Sequence, residues 1–590
     1  MLPKLKQHIW QWLSIPIASS SVAGLVIAAS YAGCFQLFEW STLDQFMRLR
    51  PPESKDPRLV VVTIDNQDLE QIGQWPIPDQ TLAQLLNKIK AQQPRIIGLH
   101  LYRSLPVQPG AQELLTVYKS TSNLYGVEKF VGQTISAPQV LVEGDQVGIS
   151  DLVLDADGKL RRALIAIMPT EDKIRFSIGA QLALKYLEQE GITYEQVDYS
   201  RQGLFPVRER VKLGKAVFER FRANDGGYVG ADDGGFQVLL NFRGTQTSFH
   251  TIAMRDVLNG KVDTDLMGDR LVLIGSTAES FGTSFHTPYS TLITPENGGF
   301  VAPHKMSGVF IHANLASQMI SAAVDNRPLI RVWHEQIEWL WICGWSLLGS
   351  IVSWQVVQAN RLVINSASGW IVVGIFLTGS SLVSISYLIF WAGWWVPVIA
   401  PLVTLMGSAI MISSYHQQGL QRLASLDSLT NVANRYYFDQ YLHQEWWQVS
   451  KGEKLLSLIL CDVDYFKSYN DTYEHQAGDR CLQQVAQAIA YAVRPTDLVA
   501  RYGGEEFVVI LPHTDGKIAT QVAERIRTQV KDLGIAHRNS QVSKYVTLSC
   551  GVASMVVNRQ YSPTILISKA DKALYDAKSK GRDRVILSIC

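Results

Sequence analysis

The sequence predicts an α/β protein anchored in a membrane, and three observations carry that expectation. Short apolar runs such as residues 59–64, 95–100 and 456–461 recur between segments of helical periodicity. Stretches without a formal charge, residues 15–38, 339–360 and 362–421, have the length to cross a bilayer. Hydrophobic residues make up 47% of the 590, with a mean hydropathy of +0.04, which is high for a purely soluble chain with room for several domains.

Residues 1–14 carry Lys4 and Lys6 ahead of the first stretch, which favours a cytoplasmic N-terminus. Four spans are expected, at residues 15–38, 339–360, 364–390 and 396–415, with Trp391, Trp394, Trp395 and Pro397 at a hairpin between the last two. This order places residues 39–335 outside and everything after Tyr415 inside. Residues 416–426 become a helical linker with Leu420, Leu423 and Leu426 on one seam. Cys34, Cys343, Cys461, Cys481, Cys550 and Cys590 all avoid the external domain, which therefore needs no disulfide. Tyr31-Ala32-Gly33-Cys34 resembles a lipoprotein cleavage site, but Tyr31 fits it poorly and an uncleaved anchor is expected. The net charge of +1 argues neither for nor against nucleic acid; without a basic stripe, no nucleic-acid partner is expected.

In the external domain, residues 59–64 read as a strand ending at Asp65, and Trp75-Pro76-Ile77-Pro78 as a turn. Leu82, Leu85, Leu86 and Ile89 then fall at helical spacing, and residues 95–100 form the next strand, giving a βαβ unit. Further strands are expected at residues 236–242 and 271–275, and a helix at 309–320. His286, His304 and His312 read as separate surface or core histidines, because no coordinating carboxylate pattern accompanies them. Asn224-Asp225-Gly226-Gly227 and Asp232-Asp233-Gly234-Gly235 lack the spacing of a calcium loop and read as turns. Asp65, Gly73-Gln74-Trp75-Pro76, residues 271–278, Thr287-Pro288 and residues 308–313 together resemble the CHASE2 family of extracellular sensors. The resemblance implies an extracytoplasmic α/β sensor domain for an unknown ligand. The family usually has an acidic residue near the end of the second strand, where this chain has His100.

In the last domain, residues 427–590, two apolar runs are joined through Gly503-Gly504 and followed by Glu505-Glu506, which reads as a β-hairpin with two carboxylates at its tip. A third apolar run ends at Asp462-Val463-Asp464, so pairing beside the hairpin would let Asp462 face Glu505 across the sheet as a metal site. Gly503-Gly504-Glu505-Glu506-Phe507, the Asp462-to-Lys467 segment, and Asp427-Ser428-Leu429-Thr430 with Asn434-Arg435 resemble the GGDEF family of diguanylate cyclases. This implies a cyclase-like α/β domain with a mixed central sheet, joining two GTP into c-di-GMP in a homodimer at the bacterial inner membrane.

By that resemblance, Asp462, the Val463 carbonyl, Glu505 and Glu506 bind Mg2+, with Mn2+ an alternative. Glu505 also assists deprotonation, and Lys467 faces the phosphates as a point charge. Gly503 and Gly504 approach the nucleotide, Asn470 and Asp479 match the guanine-binding positions with His475 between them, and Lys578 and Arg582 hold the β- and γ-phosphates. Glu474 stands where the family usually has glycine. Arg494 and Asp497 match its RxxD inhibitory site for c-di-GMP, roughly 17 Å of extended chain from Gly503. The alternative is a catalytically inactive receptor that binds nucleotide and signals by protein contact.

Overall fold

A computed structural model describes residues 2–170, 173–197, 209–278, 284–290, 305–359, 367–450, 454–557 and 561–588. The chain divides into two compact units, Met1–Ser413 and Ser414–Cys590.

The first unit is organised by a six-stranded sheet in the order His250–Ala253, Leu59–Ile64, Leu271–Ser276, Ile96–His100, Leu124–Glu128, Val147–Ile149, with every pair parallel. Strands of such a sheet are covered on both faces and so read as unbroken apolar runs. Alternation then sorts the faces: Val60, Val62 and Ile64 join the core under helix Asp79–Ala91, whereas Leu59 and Val61 join the core under helices Ile178–Glu188 and Gly308–Asp325. Partnering of Ile64 with Ser276 and of Gly275 with His100 brings the C-terminal ends of three strands to one edge.

One cluster of buried charges in this unit is closed on itself. Arg161 bridges Asp44 at 2.7 Å and Asp155 at 2.9 Å, Arg162 takes the other oxygen of Asp155 at 2.9 Å, and Tyr228 donates to Asp155 at 2.8 Å. All four charged side chains are buried. Burial of ions is tolerated only when each finds partners like these.

Among the described residues, three helices are long and apolar enough to cross a membrane: Leu13–Tyr31, Glu335–Gln358 and Gly369–Trp391. The expected fourth span, 396–415, is instead a shorter apolar helix, Ile399–Tyr415. Trp394–Trp395 pairs as a strand with Arg331–Val332, and Pro397 follows, so helix begins only at Ile399. The first expected span, 15–38, also ends early. Gly33 turns the chain at φ +78°, and a separate helix, Gln36–Leu49, follows with Trp40, Leu43, Phe46 and Met47 buried. The start of the third expected span, residues 364–366, lies outside the described residues, as does His304.

Glu39 lies beyond the first of these apolar helices and is buried. Its carboxylate accepts the backbone N–H groups of Val398, Ile399 and Ala400 at 2.9, 2.8 and 3.1 Å, capping helix Ile399–Ala424. Burial pushes this carboxyl up to about 7, against the three N–H groups that favour its charged form.

The second unit is a five-stranded mixed sheet in the order Leu498–Gly503, Glu506–Pro512, Leu455–Val463, Leu548–Val556, Val585–Ser588. The last pair is parallel and the others antiparallel. Helices His475–Tyr491 and Gly516–Asp532 cover one face through Val485, Ile489, Ala523 and Ile526, and helices Arg435–Ser450 and Pro563–Ser579 cover the other through Phe438, Leu442, Leu566 and Leu574.

Candidate active site

The hairpin forms as its glycines dictate: Gly503 pairs with Glu506, and Gly504 adopts φ +41°. Strand Glu506–Pro512 pairs with the central strand in unbroken register from Leu456 opposite Pro512 to Asp462 opposite Glu506. The expectation that Asp462 faces Glu505 is therefore corrected by one residue. Glu505 meets this strand through its backbone, its carbonyl accepting the Val463 N–H at 3.4 Å.

Asp462 is buried, and Lys578 sits 2.6 Å from its carboxylate. Burial pushes the Asp462 carboxyl up to about 6; the lysine opposes that shift, while the charges of Glu505 and Glu506 add to it. Three acids thus crowd one end of the sheet, and an ammonium group has been drawn in. That donor set fits a hard divalent cation. The described residues nonetheless contain no group of three His, Cys, Asp or Glu side chains already close enough to hold an ion.

Several side chains not singled out from sequence hold this end in place. Arg501 donates from Nε and Nη2 to the Gly504 carbonyl at 3.0 and 2.8 Å, and from Nη1 to Asp427 at 3.1 Å. Asp427 also accepts the backbone N–H and hydroxyl of Thr430 at 2.9 and 2.7 Å. The Asp427-to-Thr430 motif is therefore a brace for the hairpin tip. Asp464 accepts from Thr547 at 2.8 Å, Ser549 at 2.6 Å and the Asp583 N–H at 3.1 Å, tying the central strand to the C-terminal loop. In that loop Arg582 stacks over Tyr465, with its guanidinium carbon 4.4 Å from the ring centre.

Helix Phe466–Tyr473 carries Lys467, exposed, and Asn470, whose Oδ1 is buried without a hydrogen-bond partner. A Cβ at Gly478 would collide with that oxygen, so glycine is required there. His475 and Asp479 are exposed in the first turns of the next helix. Between the two helices Glu474 adopts φ +67° and ψ 161°, a conformation suited to glycine. Arg494 and Asp497 close a backbone turn: the Asp497 carboxylate accepts the Arg494 N–H at 2.9 Å, and the Asp497 N–H reaches the Arg494 carbonyl at 3.0 Å. The exposed Arg494 side chain is not used in that turn.

The CHASE2 domain family matches residues 22–351, more than half of the chain, and the diguanylate cyclase GGDEF domain matches residues 424–584. Diguanylate cyclase A of Treponema denticola is 41% identical over 172 residues, 29% of this chain and 46% of that protein. Response regulator PleD of Caulobacter vibrioides is 40% identical over 166 residues, 28% of this chain and 36% of that protein. The match thus spans less than half the length of either relative. Among solved structures, the GGDEF domain of DgcB from Caulobacter crescentus in complex with c-di-GMP is 35% identical, covering 28% of this chain and 96% of that one at a TM-score of 0.26. With its parallel-sheet unit inside the first match and its acidic hairpin inside the second, the chain belongs to the CHASE2 domain family and carries a GGDEF domain at its C-terminal end.

Proposed function

We propose that the protein is a membrane-bound diguanylate cyclase that condenses two GTP into c-di-GMP and two pyrophosphates as a homodimer, under control of its CHASE2 domain. The observation that carries this reading is the meeting of Asp462, Glu506 and Lys578 beside the Gly503-Gly504 hairpin. Relatives named as diguanylate cyclases support it.

In each bond-forming step the 3′-oxygen of one GTP attacks the α-phosphorus of the other, and the bond to the β-phosphate breaks to release pyrophosphate. Each protomer holds one GTP. Asn470 and Asp479 select guanine through its N1–H and amine edge, with His475 beside them. Gly503 and Gly504 admit the nucleotide close to backbone. Lys578 exchanges Asp462 for the β- and γ-phosphates, which Arg582 also contacts, and Lys467 stabilises charge on the phosphoryl group. Glu505 accepts the proton of the attacking hydroxyl. Asp462, the Val463 carbonyl, Glu505 and Glu506 are the residues that hold Mg2+ or Mn2+, which when bound polarises the phosphate and lowers the pKa of the hydroxyl.

Arg494 and Asp497 bind product and inhibit: the turn leaves the guanidinium available for guanine O6 and N7. The signal passes through helix Ile399–Ala424, which starts under the Glu39 cap and ends just before the GGDEF domain. With the shorter helix Ile399–Tyr415 as a fourth crossing, the N-terminus and GGDEF domain are cytoplasmic and the CHASE2 domain periplasmic, in the inner membrane of a bacterium.

Mass spectrometry of products made from mixed GTP and ATP tests the reading. c-di-GMP as the main product is expected, with output altered by deletion of residues 39–335. A hybrid dinucleotide, or unchanged output after the deletion, contradicts the respective part.

A further inference from the structure

The C-terminal edge of the parallel sheet gathers polar groups that are poorly satisfied among the described residues. The imidazoles of His100, at the end of its strand, and His312, in helix Gly308–Asp325, lie with ring centres 4.9 Å apart. His312 is 1% exposed, and among the described residues its ring nitrogens meet only the Ser150 backbone, too loosely for a hydrogen bond of ordinary geometry. One helix begins against the His100 ring and a second against the backbone of His312. His100 lies 3.1 Å from where a Cβ on Gly308 would stand, and the His312 carbonyl 2.7 Å from where one on Gly179 would stand. The residues preceding these helices are Ser307 and Ser177, 6% and 1% exposed. A serine at such a position ordinarily accepts an N–H from the first helical turn. Here neither serine does, and among the described residues the hydroxyl of each is buried without a partner.

Such groups, taken out of water and left unbonded, cost free energy that a bound ligand removes. The chemistry of that ligand follows from the donors. Two helix N-termini of 18 and 11 residues present positive dipole ends, the serines offer O–H, and burial keeps both imidazoles neutral with an N–H each. A metal cation would meet the wrong end of both helices, and no acidic or thiol side chain joins the two histidines in a metal-holding group among the described residues. Partly exposed His100 gives access from the surface.

We propose that His100, Ser177, Ser307 and His312 form a binding site for a small oxyanion, a carboxylate or phosphate group, at the C-terminal edge of the CHASE2 sheet. Its role as the sensor input rests on the proposed function; the binding itself does not.

The test uses the full-length protein in lipid nanodiscs, titrated without GTP by calorimetry with sodium phosphate or sodium acetate against sodium chloride at equal ionic strength. Saturable binding of phosphate or acetate is expected, and the preferred anion identifies the oxyanion geometry. Affinity should fall at least about tenfold in His312→Phe and in the Ser177→Ala/Ser307→Ala double variant. The serine variant keeps the test decisive if His312→Phe fails to fold. No saturable binding of either anion, or equal affinity in the wild type and the folded variants, overturns the proposal. Because no turnover is measured, either result leaves the cyclase reading untouched.

Discussion

The two units treat charge in opposite ways. In the first, Asp44, Arg161, Asp155 and Arg162 are sealed in the interior with every charge matched, and the edge of its sheet is lined by neutral imidazoles and hydroxyls. In the second, like charges are crowded at the end of a sheet, where Asp462 resists ionisation. The buried network serves cohesion, because every ion in it is used up by another. At the crowded end Lys578 offsets part of the surplus negative charge, and Asp462 stays raised in pKa beside Glu505 and Glu506.

Removal of a buried partner breaks the first half of this comparison most strongly. Asp155→Ala leaves Arg161 and Arg162 short of a counter-ion and should destabilise the first unit by about 3–5 kcal/mol, read as a fall in its thermal unfolding midpoint. An unchanged midpoint would mean that the network contributes no cohesion. Lys578→Ala probes the second half. It should weaken GTP binding about 10- to 100-fold, in keeping with loss of one charged hydrogen bond, while the unit's melting changes little.

The pH profile sharpens the contrast further. Asp462 has a folded pKa raised to about 6, so its protonated form is favoured below that value and its ionised form above it. At limiting Mg2+, where the metal-free enzyme sets the profile, initial rates of c-di-GMP formation should therefore be level above about pH 7 and fall by up to about tenfold per unit below pH 6. The smallest effect expected is a gain. Glu474→Gly relieves a left-handed backbone and should raise the stability of the GGDEF domain by about 1 kcal/mol, seen as a higher unfolding midpoint.

What could be read from sequence follows the same division. The hairpin, the acidic strand end and the Lys578 helix were legible because each lies in a short contiguous motif with a fixed period. The register error between Glu505 and Glu506 arose because apolar runs mark where two strands lie but not which residues pair across them. Arg501 itself was a readable signal, a charged residue in an apolar run just before the glycines. The first unit's βαβ order was legible from its apolar runs, but its orphaned edge was not. His100, Ser177, Ser307 and His312 are brought together only by parallel strand order, and nothing local marks either serine as an unused cap. Apolar length alone also overstated the membrane helices, since it does not register the turn at Gly33 or the late start after Pro397.

The most direct measurement of the central claim is c-di-GMP formation by full-length protein with GTP and Mg2+, comparing wild type with Glu505→Gln at matched protein and membrane levels. The account predicts product from the wild type and a loss of about a thousandfold or more in the variant, with the fold retained. Equal rates in the two, or no product from the wild type at any protein concentration, would contradict it.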